Sequence, residues 1–352
     1  MNGKRIKKRM LHYDLLRIIA AFSVVMLHSA AQYWYTLDIH SREWIIANSY
    51  DAVFRFGVPV FVMISGALFL SSEYELDIRH LYKHNILRFV VLYIVWSCLY
   101  GLWDTRNFCF AEVGVKPYLK EMLHGSYHLW FLPMLIGLYM ILPMVRIWVH
   151  HADRKNLQYF LGLFLVLQVG RETLRAVTMM DEIHYILDIT KVEMACSYLG
   201  YFVWGYYLAH VGLSQRLCKV IYWLVVPSIL LNVVLGNGLS YHYEKAMGNI
   251  YDSFGIFTFI VVTGLFLVAQ EFFGRKQFAC TSTAIIKEVS ADTLGIYVMH
   301  VGLMGVLANR GIDSMMVPNI IGVPLLAVIC FVICMIAAAV LRRIPMIGKF
   351  IC

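Results

Sequence analysis

The 352-residue chain is 60% hydrophobic and only 15% charged, with a mean hydropathy of +0.68; soluble domains carry nearer a quarter charged residues, so a soluble globular domain is excluded. Its apolar runs recur from end to end and lack the ~10-residue alternation of a barrel, which leaves an all-α, polytopic integral membrane protein. The net charge of +8 is no sign of nucleic-acid binding here, because Lys and Arg in a membrane chain mark cytoplasmic loops.

In chain order, the basic stretch Lys4–Arg9 precedes the first apolar run. Together they imitate a signal peptide, but Arg17 and His28 interrupt the run and many spans follow, so the first helix is read as uncleaved. A span needs about 20 apolar residues. Ten are expected, over 14–34, 51–70, 86–104, 128–146, 157–170, 194–211, 220–236, 253–271, 292–309 and 320–341, the fifth and seventh being the shortest. With the N-terminus inside, the inner segments hold about 19 Lys and Arg and the outer ones about 9. That bias puts both termini in the cytoplasm, with Arg17 and Arg55 inside helices. The longest polar stretches, 104–127 and 171–193, then lie outside, and His150, His151, Arg154 and Lys155 form a solvated inner loop.

A single transmembrane domain over 1–352 is expected, with no separate soluble domain. Pro59, Pro133, Pro143 and Pro227 do not recur at matching positions in two halves, so the paired broken helices of many transporters are not indicated. The eight cysteines form no CxxC pair and no metal spacing with His. Cys330 and Cys334, in an apolar helix, are read as small buried residues, and neither disulfide nor metal is expected.

The first helix, "YDLLRIIAAFSVVMLHSA", poses the functional question. Arg17 and His28 are eleven residues apart, about 20° beyond three full turns, so they share a face some 16 Å apart along the axis. An Arg there costs several kcal/mol unless it pairs, snorkels or meets water. Asp14, three residues earlier, can pair with it. Two readings stand: an interfacial ion pair with a packed histidine, or a cavity reached from the cytosol with His28 as its reactive group.

The stretch "DLLRIIAAFSVVMLH" resembles the Arg-x10-His signature of the membrane-bound acyltransferase family 3. Four further stretches are similar to that family's motifs in the same order. They are "GVPVFVMISGALFL" with Ser65 and Gly66, "HLWFLPMLIGLYMILPM" with His128 and Trp130, "YFVWGYYLA", and "SADTLGIYVMH" with Tyr297 and His300. One departure lies before the third span. Where the family often has Arg-x-x-Arg, this chain has Asn85 and Arg88, with Lys83 and His84 nearby as alternative charges.

The resemblance implies acyl transfer, of acetyl by family habit, from a cytosolic acyl-coenzyme A to a hydroxyl on a surface carbohydrate or its lipid-linked precursor, in a bacterial cytoplasmic membrane. It implies no metal and no nucleic-acid partner, and leaves self-association open. Arg79, Lys83, His84 and Arg88 suit donor phosphates, although the positive-inside bias alone accounts for any one of them. His28 could act as base or accept the acyl group itself. Arg17, beside Asp14, could hold the donor or offset charge at the thioester. His300 is a second candidate, with Tyr297 one turn before it on the same face. A histidine bridging two helices is the plainer reading of His300. Trp130 and His128 open the fourth span at the outer side, as an interfacial anchor or near an acceptor, and Ser65–Gly66 suit close helix packing. The outer stretches 104–127 and 171–193 can carry amphipathic helices or help bind an acceptor. A membrane carrier that couples transport through Arg17 and His28, and a non-catalytic partner in polysaccharide assembly, are the rival readings.

Overall fold

In lipid a backbone has no water to bond, so each spanning stretch must satisfy its own N–H and C=O groups, and the apolar runs become helices. A computed structural model describes residues 10–73, 75–104, 125–178, 193–274 and 279–344, with short pieces at 115–116, 119–120, 185–186, 189 and 348. Among the described residues eight helical stretches are long and apolar enough to cross a membrane: Leu11–Tyr33, Arg42–Phe69, Ile78–Trp103, Tyr127–His151, Gln215–His242, Asn249–Phe273, Cys280–Ala308 and Asn319–Arg343. The protein is a polytopic all-α membrane protein.

The helices are α1 (Leu11–Ala30), α2 (Arg42–Phe54), α3 (Gly57–Phe69), α4 (Leu87–Asp104), α5 (Phe131–His151), α6 (Arg154–Leu163), α7 (Arg171–Val177), α8 (Glu193–Tyr206), α9 (Gln215–His242), α10 (Ile256–Val268), α11 (Cys280–Ala308) and α12 (Asn319–Arg343). Ile78–His80 and a π-helical turn, Leu81–Ile86, lead into α4 without a break. A second π-helical segment, Phe164–Gly170, joins α6 to α7, so one continuous helix runs from Arg154 to Val177.

Of the ten expected spans, 157–170 and 194–211 are not among these eight, and several boundaries differ from the hydropathy cut, the ninth beginning at Cys280 rather than 292 and the third at Ile78 rather than 86. The second span starts at Arg42 rather than 51, because Asn48 and Asp51 of α2 face inward onto other polar groups. The fifth passes 170 to Val177, so the polar stretch after it is helical at its start. The seventh, α9, runs over Gln215–His242 rather than 220–236 and is the least enclosed of the eight spans.

The first helix is the axis of the fold. It packs on α2, α3, α11 and α12. The face used is small: a Cβ on Gly57 would lie 2.4 Å from Ser23 Oγ and 2.7 Å from the Ala20 carbonyl. α3 meets α8 more closely still. A Cβ on Gly66 would sit 1.7 Å from the Phe202 carbonyl oxygen, and one on Gly205 would sit 2.0 Å from that of Met63. Small residues of this kind allow backbone approach in lipid, where packing rather than hydrophobicity drives helix association.

The carbonyls left open at the end of α3 are met by side chains. Arg146 donates to Phe69 O at 2.9 Å, His150 Nε2 lies 2.8 Å from Leu70 O, and His210 Nε2 lies 2.9 Å from Ala67 O. His150 therefore belongs to α5 and caps α3, rather than standing in a solvated loop. Asn48, fully buried on α2, accepts from Trp34 Nε1 (2.9 Å) and Tyr251 Oη (2.5 Å) and donates to Asn237 Oδ1 (3.0 Å). This one amide ties α1's exit, α2 and α9 to the turn before α10.

Gly66→Ala and Gly205→Ala should each destabilise the fold by about 1–3 kcal/mol through forced backbone separation. Thermal unfolding in detergent, with Gly137→Ala as a control in open space, checks this.

Candidate functional site

One end of α1 carries a buried carboxylate. Asp14 is 1% exposed; it accepts from Ser290 Oγ of α11 at 2.7 Å and from Arg17 at 3.3 Å. The Arg17 side chain is one-third exposed. Asp14 thus fixes α1 to α11 and holds Arg17 to its own helix face.

Toward the other end of α1 three histidines from three helices meet. The rings of His28 and His300 are 5.0 Å apart, those of His128 and His300 5.3 Å, and those of His28 and His128 6.2 Å. His300 is fully enclosed. Its Nδ1 lies 2.6 Å from Tyr297 O and 3.3 Å from Ile296 O. Carbonyl oxygens only accept, so Nδ1 carries the hydrogen and Nε2 keeps a lone pair. That Nε2 is buried with no hydrogen-bond partner. His128 is 1% exposed, and its Nδ1 faces Ser126 Oγ at 3.0 Å. Its ring packs edge-on against Tyr100, 5.0 Å between centroids.

Tyrosines frame the cluster. The Tyr297 hydroxyl donates to the His128 carbonyl, joining α11 to the start of α5. Tyr100 Oη donates to Val298 O at 2.9 Å and accepts from Gly302 N at 2.9 Å, holding α4 to the helix that carries His300. Tyr127 Oη is 3.4 Å from His28 Nδ1. His28 itself is half-buried. Tyr100 and Tyr127 carry no signal in the sequence, since each sits among many aromatics.

The remaining candidates lie apart from this cluster. Arg79, Lys83 and His84 are exposed along the run into α4, while Arg88 is half-buried with its Nε enclosed. Ser65 Oγ donates back to Phe61 O at 3.0 Å, and Gly66 is at the α3–α8 contact. Trp130 is 46% exposed and stacks obliquely on Tyr198, away from the histidines.

Beside the cluster lies a polar cavity of about 860 Å3 that the sequence does not disclose. Ala31, just past the end of α1 and three residues beyond His28, lines it, together with Asp51 of α2, Arg55 of the α2–α3 bend, and Arg171, Glu172 and Arg175 of α7. Arg55 donates to Asp51 Oδ2 at 2.6 Å, and its guanidinium lies 5.5 Å over the Tyr251 ring. Asp51 is 1% exposed and its Oδ1 has no partner. Arg171 reaches Glu172 Oε1 at 2.6 Å. The i, i+4 spacing of Asp51 and Arg55 is the one available signal.

A family model described as an acyltransferase domain, that of acyltransferase family 3, matches residues 11–341. The chain belongs to this family. It is a multi-pass membrane protein of an acyltransferase family. Searches for similar curated proteins and similar solved structures find no match. For this acyltransferase the histidine cluster offers a rigid imidazole with a free lone pair beside a half-buried one, an arrangement able to take and return a proton. Among the described residues no group of three or more His, Cys, Asp or Glu is arranged to hold a metal ion.

Arg55→Ala should destabilise the acyltransferase by about 3–5 kcal/mol, because it leaves the Asp51 carboxylate enclosed without its counter-ion. Arg55→Ala with Asp51→Asn should recover part of that loss, measured as the midpoint of thermal unfolding.

Proposed function

We propose that this protein is an O-acyltransferase that moves an acyl group, acetyl in the simplest case, from cytosolic acyl-coenzyme A to a hydroxyl of a cell-surface carbohydrate or its lipid-linked precursor. The observation that carries the reading is the pairing of His28 with His300. A histidine base that becomes imidazolium is stabilised by an acceptor for the N–H on the ring nitrogen opposite the one that takes the proton. His300 Nε2, enclosed and unpartnered on a ring 5.0 Å away, is such an acceptor. His28 is half-buried, whereas His300 is sealed; His28 is therefore the base and His300 its positioning neighbour.

The step balances without further groups. The acceptor hydroxyl gives its proton to His28 as its oxygen bonds to the thioester carbonyl carbon. The C–S bond then breaks, and the departing thiolate takes the proton back from His28. With the N-terminus inside, Arg17 lies toward the cytosolic face and His28 beyond the midplane. The donor's long pantetheine arm would run between them along α1. The cations Arg79, Lys83, His84 and Arg88 enter on the same cytosolic side and suit the donor's phosphates, with Asn85 neutral where the family often has Arg.

Purified protein in vesicles, given acetyl-coenzyme A and a carbohydrate acceptor, should release thiol. His28→Ala should lower transfer about a hundredfold or more, His300→Phe should lower kcat less, and Arg17→Gln should raise the donor KM. Undiminished transfer by folded His28→Ala would overturn the reading.

A further inference from the structure

We infer that the polar cavity beside the histidine cluster is the seat of the acyl acceptor, and that it takes an uncharged, hydroxyl-rich saccharide unit. The inference rests on the acyl-transfer reading for its place in a reaction, although binding itself does not depend on it.

Two observations point to a ligand there. Asp51 Oδ1 and Gln168 Oε1 are both buried acceptors without partners, and both residues line the cavity. Asp51 is 1% exposed and Gln168 4%. An enclosed acceptor left unmade costs free energy, more so for a charged group; both atoms are closed to solvent, so each side chain must turn toward the cavity before a ligand hydroxyl satisfies it. The second observation is the charge of the lining. Among the described residues it holds three guanidiniums, Arg55, Arg171 and Arg175, and three carboxylates, Asp51, Glu172 and Asp252. An anionic ligand would call for an excess of cations, and a cationic one for an excess of carboxylates. A balanced set with many donors and acceptors fits a neutral polyol.

Size and place agree. The cavity's ~860 Å3 lies within the range of ligand pockets, about 300–1,000 Å3. Trp34, Tyr35 and Phe254 add aromatic surface that suits the C–H face of a sugar ring. Ala31, three residues after His28, sets the cavity about one helical turn from that imidazole. A hydroxyl presented from this seat would reach the base from the side opposite Arg17. On the orientation given by the Lys and Arg distribution, that is the outer face.

The test is equilibrium binding to the full-length protein in nanodiscs without acyl donor. Saturation-transfer NMR would read two- to four-ring neutral oligosaccharides of glucose, galactose and N-acetylglucosamine, each beside its uronate counterpart. The expected result is binding of at least one neutral oligomer, tighter than its uronate, weakened tenfold or more by Gln168→Leu and by the cavity-filling Ala31→Phe. His28→Ala should keep that binding while losing transfer. Failure of every neutral oligomer to bind, tighter binding of the uronates, or unchanged binding in both cavity variants would overturn the seat. Acyl transfer with an unchanged acceptor KM in both variants would overturn the seat and leave the enzyme reading intact. Saccharide binding that responds to both variants, with no acyl transfer to any acceptor, would do the reverse.

Discussion

A polar group inside a bilayer must find its partner within the protein, and this constraint organises the molecule around its first helix. Asp14, Ser23 and Ser29 are all buried on α1. Asp14 is met by Ser290 of α11, Ser29 donates to the Val323 carbonyl of α12 at 2.8 Å, and Ser23 turns back to its own helix at Ala20 O. Polar contacts thus fix α1 against two later helices, while its small face at Ala20 and Ser23 admits α3. A helix held on several sides can carry a guanidinium at one end and an imidazole toward the other without either drifting.

The same logic extends outward. Asn48 gathers donors from the exit of α1 and from Tyr251, and Arg146, His150 and His210 close the end of α3. These bonds, with the glycine contacts between α3 and α8, make a stiff wall around a polar interior. The histidine cluster and the cavity are two regions of that interior, separated by about one turn of α1. Tyr100 and Tyr297 matter in this frame because each locks the His300 helix to another element through a backbone group.

Much of this arrangement is legible in the amino-acid sequence. Spacing alone puts Arg17 and His28 on one face, and Tyr297 beside His300. The family motif brings His128 into view, though not its contact with the other two rings. What hydropathy does not show is polarity turned inward. Asp51 and Arg55 resemble any i, i+4 pair until the bend after Phe54 sets them at a cavity. Gln168 sits in an apolar run, "FLGLFLVLQVG", where one amide is easily taken for noise. The segment after Gly170 reads as a loop because charges favour water, whereas Arg171 is 5% exposed and packs into the protein. Trp130 matches a motif yet stands apart from the histidines.

The π-helical segment Phe164–Gly170 has one consequence for how such a site can change. A π turn holds an extra residue relative to an α turn. Removing a single residue there would let the helix relax to regular α geometry while everything beyond it keeps nearly the same face, because the wider turn has already absorbed the extra residue. Arg171, Glu172 and Arg175 would stay at the cavity wall, and the span would keep its length to within a residue. Lining and reactive cluster are therefore separable by where a deletion falls: one residue lost from the π turn is absorbed, whereas one lost from the regular turns of α6 would rotate the cavity face by about 100° without touching the histidines.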